Sequence, residues 1–328
     1  MRKIISIIII LVILVIIIPI SIIGFNFLLN NDNSGGDDVN GGDNDSNIAP
    51  PENIVNLFFI HHSVGEWWLR SCIDDETNCG NLGQTLNNNN YYVSESYYSW
   101  NPASGLVDFW GDCNPGDATN TNSWQLWFND DPELADESVM PYVYDEVGYY
   151  PDHFGESIRE ELLYVDNNTI SPASGENTII MFKSCFPESE VGDSITDEQD
   201  NYNVLLPYFE DHQDKLFILI IPPPEIDLDY PANTRVLANW LVNDWLANFS
   251  YQNVGVFDFY NVLTDPDNHH TANESGIYHH IESDSSNEIY PDYHNPGDDH
   301  PIRPGLTKAS NEFVLLLNYY YHRWQEQN

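Results

Sequence analysis

Five short apolar runs, at residues 53–60, 91–98, 177–182, 215–221 and 253–259, recur along the chain with helix-patterned segments between them. Strands of this kind, alternating with helices, specify an α/β domain in which a parallel sheet is covered by helices on both faces. The expected architecture is a three-layer sandwich around a five-stranded parallel sheet. Helices are expected at 82–90, 156–165, 202–212, 232–248 and 308–324; in the fourth, Val236, Leu237, Trp240, Leu241, Trp245 and Leu246 repeat at helical spacing.

The N-terminal residues stand outside this pattern. Residues 4–29 carry no charge and follow Arg2 and Lys3. A secretory apolar region runs to about 7–15 residues, whereas a membrane-spanning helix needs about 20. Around Ile22-Ile23-Gly24-Phe25 only one small residue is offered to a signal peptidase. Residues 1–29 therefore read as an uncleaved membrane anchor, with a removed signal peptide as the alternative. Arg2 and Lys3 stay cytoplasmic by the positive-inside rule, which puts the remainder of the chain outside the cell. Residues 30–52 read as a tether, because 30–47 hold only Asn, Asp, Gly, Ser and one Val and cannot bury enough surface to offset the entropy of ordering. The domain proper is 53–328.

Acidic side chains number 52 against 10 basic ones, a formal net charge of −42. Such a surface repels nucleic acid and anionic lipid and suits a solvated exterior. No segment has the spacing of a Ca²⁺-binding loop. Cys72, Cys79, Cys113 and Cys185 fit an exported protein with one or two disulfides. Cys72 and Cys79 bracket a short polar loop and form the expected pair; Cys113 and Cys185 make a second bridge, or Cys185 is a free thiol near the site. Sequons at Asn44, Asn167, Asn248 and Asn273 fit the same compartment. Residues 99–155 break the strand–helix rhythm and hold Trp100, Trp110, Trp124 and Trp127. This Trp-rich insertion is either a small core of its own or a sugar- or acyl-binding rim over the site.

In open parallel sheets ligands bind beyond the carboxyl ends of the strands. Four segments end there: His61-His62-Ser63, Lys183-Ser184-Cys185, Pro222 to Glu225, and the loop after Asp258. Asp298-Asp299-His300-Pro301 and Gly305 introduce the last helix. A serine hydroxyl becomes an effective nucleophile when an imidazole accepts its proton and a carboxylate fixes that imidazole's tautomer. Ser63, His300 and an aspartate supply these parts in the order Ser…Asp…His.

That order, with an apolar strand running into Ser63 and an Asp-His-Pro segment before the final helix, resembles the SGNH (GDSL-like) hydrolases. The resemblance implies a flavodoxin-like sheet and a serine esterase that needs no cofactor. It casts Ser63 as nucleophile and His300 as base, with Asp298 or Asp299 as the orienting acid. The family's acid lies three residues before the histidine, where this chain has Gly297. Asp298 is favoured over Asp299 because alternate residues of an extended segment project to the same side. Where the family has an oxyanion-binding asparagine this chain reads Lys183-Ser184-Cys185-Phe186, so that role falls to Ser184, Lys183, or backbone amides near Ser63 and Gly105, the counterpart of the family's second-block glycine. His62 abuts Ser63 and is expected to line the site. The reading is a membrane-tethered extracellular esterase acting on an acylated carbohydrate or similar small ester. A rival from another class is a degenerate glycan-binding domain using the same cleft. A third is a metal-dependent hydrolase on the pairs His61-His62, His269-His270 and His279-His280 with His294. Adjacent histidines point to different sides, and no H-E-x-x-H or C-x-x-C motif is present, so no metal is expected.

Overall fold

The computed structural model describes residues 47–73, 77–96, 115, 120–130, 139–148, 169–185, 191, 194–226 and 231–327. The expected anchor, most of the tether, the helix expected at 156–165, Gly105, Cys113, Trp100 and Trp110 lie outside them. Among the described residues no helix is long and apolar enough to cross a membrane.

Val55–Ile60 (β1) is buried along its whole length. It pairs in parallel with Tyr91–Ser96 (β2) on one edge and Ile179–Phe182 (β3) on the other. Leu216–Ile220 (β4) and Val254–Phe257 (β5) complete a five-stranded parallel sheet in the order β2-β1-β3-β4-β5. Side chains alternate between two cores. Leu57 and Phe59 face one that includes Val64 and Trp68 of helix Ser63–Leu69 (α1), Leu82 and Leu86 of helix Leu82–Asn88 (α2), and Phe313 and Leu317 of the C-terminal helix Arg303–Gln325. Phe58 and Ile60 face the other, with Trp124, Val143, Tyr202, Phe209 and Leu241. Each fully buried Leu, Ile or Phe contributes about 1.5–3 kcal/mol, so both faces of the sheet must stay covered. The sheet accommodates the C-terminal helix at Gly255 of β5, where a Cβ would come within 2.5 Å of the Tyr320 ring.

Two expectations need correcting, and one pair of alternatives is decided. The helix expected at 202–212 is two, Thr196–Asn203 and Leu206–Asp211, because Pro207 lacks the N–H that would continue the first. The fifth strand stops at Phe257, where Asp258 caps a short helix, Phe259–Val262, by accepting from the Asn261 amide. Trp124 and Trp127 are fully buried, Trp124 with its ring 5.0 Å from Phe182 and 5.5 Å from Tyr202. These two tryptophans are core and cannot form a binding rim.

Two of the three histidine pairs, His269-His270 and His279-His280, belong to an antiparallel hairpin that the apolar pattern did not reveal, His269–Asn273 (β6) and Gly276–His280 (β7). It turns into β7 through Gly276 at φ 118°, a conformation that suits glycine. The hairpin is fastened by its imidazoles. His279 Nε2–H donates to Asp258 Oδ2 at 2.8 Å, the Asp258 amide donates to His270 Nδ1 at 2.8 Å, and His269 Nδ1–H donates to Glu312 Oε1 at 2.8 Å. Among the described residues no group of three or more His, Cys, Asp or Glu is arranged to hold a metal ion.

His270 must stay neutral to accept that amide. Burial, with the neighbouring charge of His279 and against the opposing effect of Asp258, lowers its pKa to about 3. An unfolded histidine titrates near 6.5, so as pH falls from about 6.5 towards 3 the unfolded chain takes up a proton that the native state refuses, and on the order of 4–5 kcal/mol is lost. His270→Asn keeps an acceptor near the Nδ1 position without a titrating ring. Its melting temperature should start lower at pH 7 than that of the wild type but decline less steeply towards pH 4; parallel declines would contradict this assignment.

Candidate active site

The chain runs from β1 out to β2 and returns to β3 on the other side of β1, so the strand order reverses at β1. A crevice opens beyond the carboxyl ends of the strands at such a reversal. The residues that follow these strand ends are His61, His62 and Ser63 after β1 and Lys183, Ser184 and Cys185 after β3.

His61 is fully buried and its Nε2 lies 2.7 Å from Glu95 Oε2 of β2, itself almost fully buried. This pair was missed in the sequence, although a glutamate inside a buried strand was a signal of it. His61 also restricts the next turn of chain, since a Cβ on Gly65 would lie 2.5 Å from its Cβ and Cγ. Only a glycine lets α1 begin so soon after the strand. His62, extended at φ −130°, is the residue before the helix; it is buried and its Nε2–H donates to the Pro115 carbonyl at 3.1 Å. The ring therefore holds a loop rather than lining a substrate site, contrary to expectation.

Ser63 is the first residue of α1 and is partly exposed. Its Oγ lies 3.8 Å from Cys185 Sγ, which brings the β1 and β3 loops into contact. Cys185 is a free thiol, and Cys113, its alternative partner, lies outside the described residues. The Lys183 amide donates to Ile60 O at 3.2 Å, and its buried Nζ donates to Ser184 O at 2.5 Å and Cys185 O at 3.2 Å. Lys183 thus braces its own loop, and this competes with the expected role as an oxyanion donor. Ser184 is 1% exposed and, among the described residues, its Oγ has no hydrogen-bond partner.

His300 reaches the same end of the sheet on a segment that turns at Gly297, φ 81°, and closes with the Ile302 amide donating to Tyr293 O at 2.7 Å. Asp298 Oδ1 accepts from the His300 amide at 3.0 Å and from its Nδ1–H at 2.8 Å. Partial desolvation raises the Asp298 pKa, but the amide and ring of His300 outweigh it and the net shift is downward. The carboxylate can only accept, so the proton sits on Nδ1 and Nε2 presents a lone pair. Asp299 does different work, accepting from the Ile226 amide at 2.9 Å and tying the segment to the loop after β4.

Trp67 links the two halves. It lies one helical turn after Ser63, on the same face of α1, and its ring centroid is 4.7 Å from that of His300. The Cys72–Cys79 disulfide strengthens this arrangement. Its loop is joined to the end of α1 by the Asn81 amide on Arg70 O at 2.8 Å, and to the start of the C-terminal helix by the Arg303 amide on Thr77 O at 2.8 Å. Gly105 lies outside the described residues. A hydroxyl, an imidazole and a carboxylate fixing its tautomer are the parts of nucleophilic acyl transfer.

Comparison with protein-family models, curated proteins and solved structures finds no match to this chain.

Gly→Ala inside a helix ordinarily stabilises by up to about 1 kcal/mol. At Gly65 the methyl would meet a ring that Glu95 holds in place, and overpacking of this kind costs about 1–3 kcal/mol. Gly65→Ala should lower the melting temperature. A raised one would show that His61 is not fixed against α1.

Proposed function

We propose that this chain is a serine ester hydrolase of the SGNH (GDSL-like) type, with Ser63, His300 and Asp298 as its catalytic residues. The observation that carries this reading is the His300 ring, held through Nδ1 by Asp298 at 2.8 Å and lying against Trp67, one turn of helix from Ser63. The five-stranded parallel order β2-β1-β3-β4-β5 supports a flavodoxin-like sheet of that type. This chain departs from the family at Gly297, where the family has its acid; Asp298, one residue later, meets the imidazole instead.

In the reaction the Ser63 Oγ attacks the ester carbonyl carbon while its proton passes to His300 Nε2, and the carbonyl π pair moves onto oxygen. Asp298 stabilises the imidazolium. The tetrahedral intermediate collapses by expelling the alcohol, which takes the proton from His300, and leaves the acyl group on Ser63. Water then repeats the sequence, giving up its proton to His300 and releasing the acid. No cofactor or metal takes part. An acylated carbohydrate is the substrate class we propose, with the partly exposed Trp67 offering an aromatic face beside the base. The apolar run at 4–29 would tether the enzyme to the membrane with its domain outside the cell.

Ser63→Ala should abolish turnover of p-nitrophenyl acetate, a loss of about 10⁶-fold by analogy with other serine hydrolases, with little change in thermal stability; retained turnover would overturn the reading. Asp298→Asn should cost about 10⁴-fold by leaving the imidazole in the wrong tautomer. Asp299→Asn, which keeps an acceptor for the Ile226 amide, should be nearly silent.

A further inference from the structure

The disulfide lies between the two halves of the proposed site. Cys72 comes just after Arg70, which ends α1. Cys79 is followed by Gly80 and Asn81, whose amides return to α1 and donate to Trp67 O and Arg70 O, both at 2.8 Å. The Cys72–Cys79 bond therefore closes a ring of chain on the last turn of that helix. From within the ring Thr77 O accepts from the Arg303 amide at 2.8 Å, just past the His300 segment. Arg303 is the first residue of its helix, where an amide has no acceptor within the helix, so its partner has to come from outside. Trp67, with its ring 4.7 Å from that of His300, and the end of the His300 segment are thus both held by residues flanking Cys79. The fold itself rests on other contacts: α1 is packed through Val64, Trp68 and Leu69, and the C-terminal helix through Leu306, Ala309 and Phe313. The bond is also open to attack from one side. Cys79 is fully buried, whereas Cys72 is partly exposed and Ile73 beside it is 84% exposed.

We propose that this disulfide is a redox switch on the esterase, with full turnover only in the oxidised chain; this rests on the serine-hydrolase reading above. A thiolate of an external dithiol attacks Cys72 Sγ, and the electron pair of the broken bond leaves with Cys79 Sγ, which takes up a proton. The reductant's second thiolate then attacks its own sulfur in the mixed disulfide and expels the Cys72 thiolate, which is protonated in turn. The protein gains two electrons and two protons, and the dithiol becomes a cyclic disulfide. In the opened ring Thr77 is no longer held in place to accept from Arg303, while the ties of the His300 segment through Asp299 and Tyr293 remain. Misplacement of a catalytic group by about 1 Å costs up to about 10²-fold in rate, so the reduced chain keeps its fold and turns over slowly. Activity then follows the compartment, full where disulfides persist and low where thiols stay reduced.

The test is made on the full-length chain with p-nitrophenyl acetate as substrate and dithiothreitol as the dithiol, reduction of Cys72 and Cys79 being verified by mass spectrometry. The reduced chain should lose about 10- to 100-fold in kcat with its KM little changed, keep a cooperative thermal transition above the assay temperature, and recover when the bond is reformed. Cys72→Ser/Cys79→Ser should match the kcat of the reduced chain and not respond to the dithiol. Undiminished kcat in the fully reduced chain would overturn the switch and leave the esterase reading standing. Full kcat in the double variant would do the same, placing any effect of the dithiol at another cysteine. A chain that unfolds at the assay temperature on reduction would make the bond a purely structural staple, which also overturns the switch. Ser63→Ala, assayed alongside, separates the two claims: turnover surviving in it would remove the serine-hydrolase reading itself.

Discussion

A strand hydrogen-bonded along both edges and covered on both faces leaves its chain one exit, past its last paired residue. In β1 that residue is Ile60, which stands opposite both Ser96 and Phe182. His61 is still locked into the interior by Glu95, and Gly65 allows the backbone to coil directly over the His61 ring. Ser63 has little freedom of position as a result. Burial of the sheet thus determines where Ser63 can emerge, and it does so at the point where the strand order reverses.

His300 comes from the far end of the sequence and has to be brought to the same place by other means. Three ties do this. Asp299 fastens the segment to the loop after β4, the Gly297 turn folds it back on Tyr293, and the disulfide loop joins the end of α1 to the first turn of the C-terminal helix. The two adjacent aspartates therefore divide the labour, one holding backbone and the other holding imidazole. The hairpin of β6 and β7 shows the same economy in another place, with histidines fastened to Asp258 and Glu312.

The five strands were legible because residues buried on both faces read as apolar runs, and their boundaries moved by only a few residues. Where an element ended early the cause was local: Asp258 capping a helix after the fifth strand, and Pro207 interrupting the helix expected at 202–212. The Cys72–Cys79 bridge was legible from its short spacing. Asp298, and not Asp299, meets His300, and it does so through a local Asx turn in which its Oδ1 accepts from the His300 amide as well as the ring. The hairpin was not legible, because strands whose stabilising contacts are His–carboxylate pairs carry no apolar pattern; Asn273-Glu274-Ser275-Gly276 was its only turn signal. The tryptophans left two readings open for the opposite reason. Trp124 and Trp127 are as apolar as a binding platform requires, and composition does not distinguish an aromatic side chain that faces solvent from one packed under β3. The places of His62 and Lys183 depend on distant backbone carbonyls and were likewise beyond pattern reading.

The central claim is that the ends of the sheet and the C-terminal segment together activate one particular hydroxyl. A fluorophosphonate forms a stable bond only with a serine whose proton a neighbouring base can take, so peptide mapping of the labelled full-length chain by mass spectrometry tests the claim directly. The account predicts a single adduct, on Ser63, that forms in the wild-type chain and is lost when His300 is replaced by Ala. An unlabelled wild-type chain, or an adduct on another residue, would contradict it.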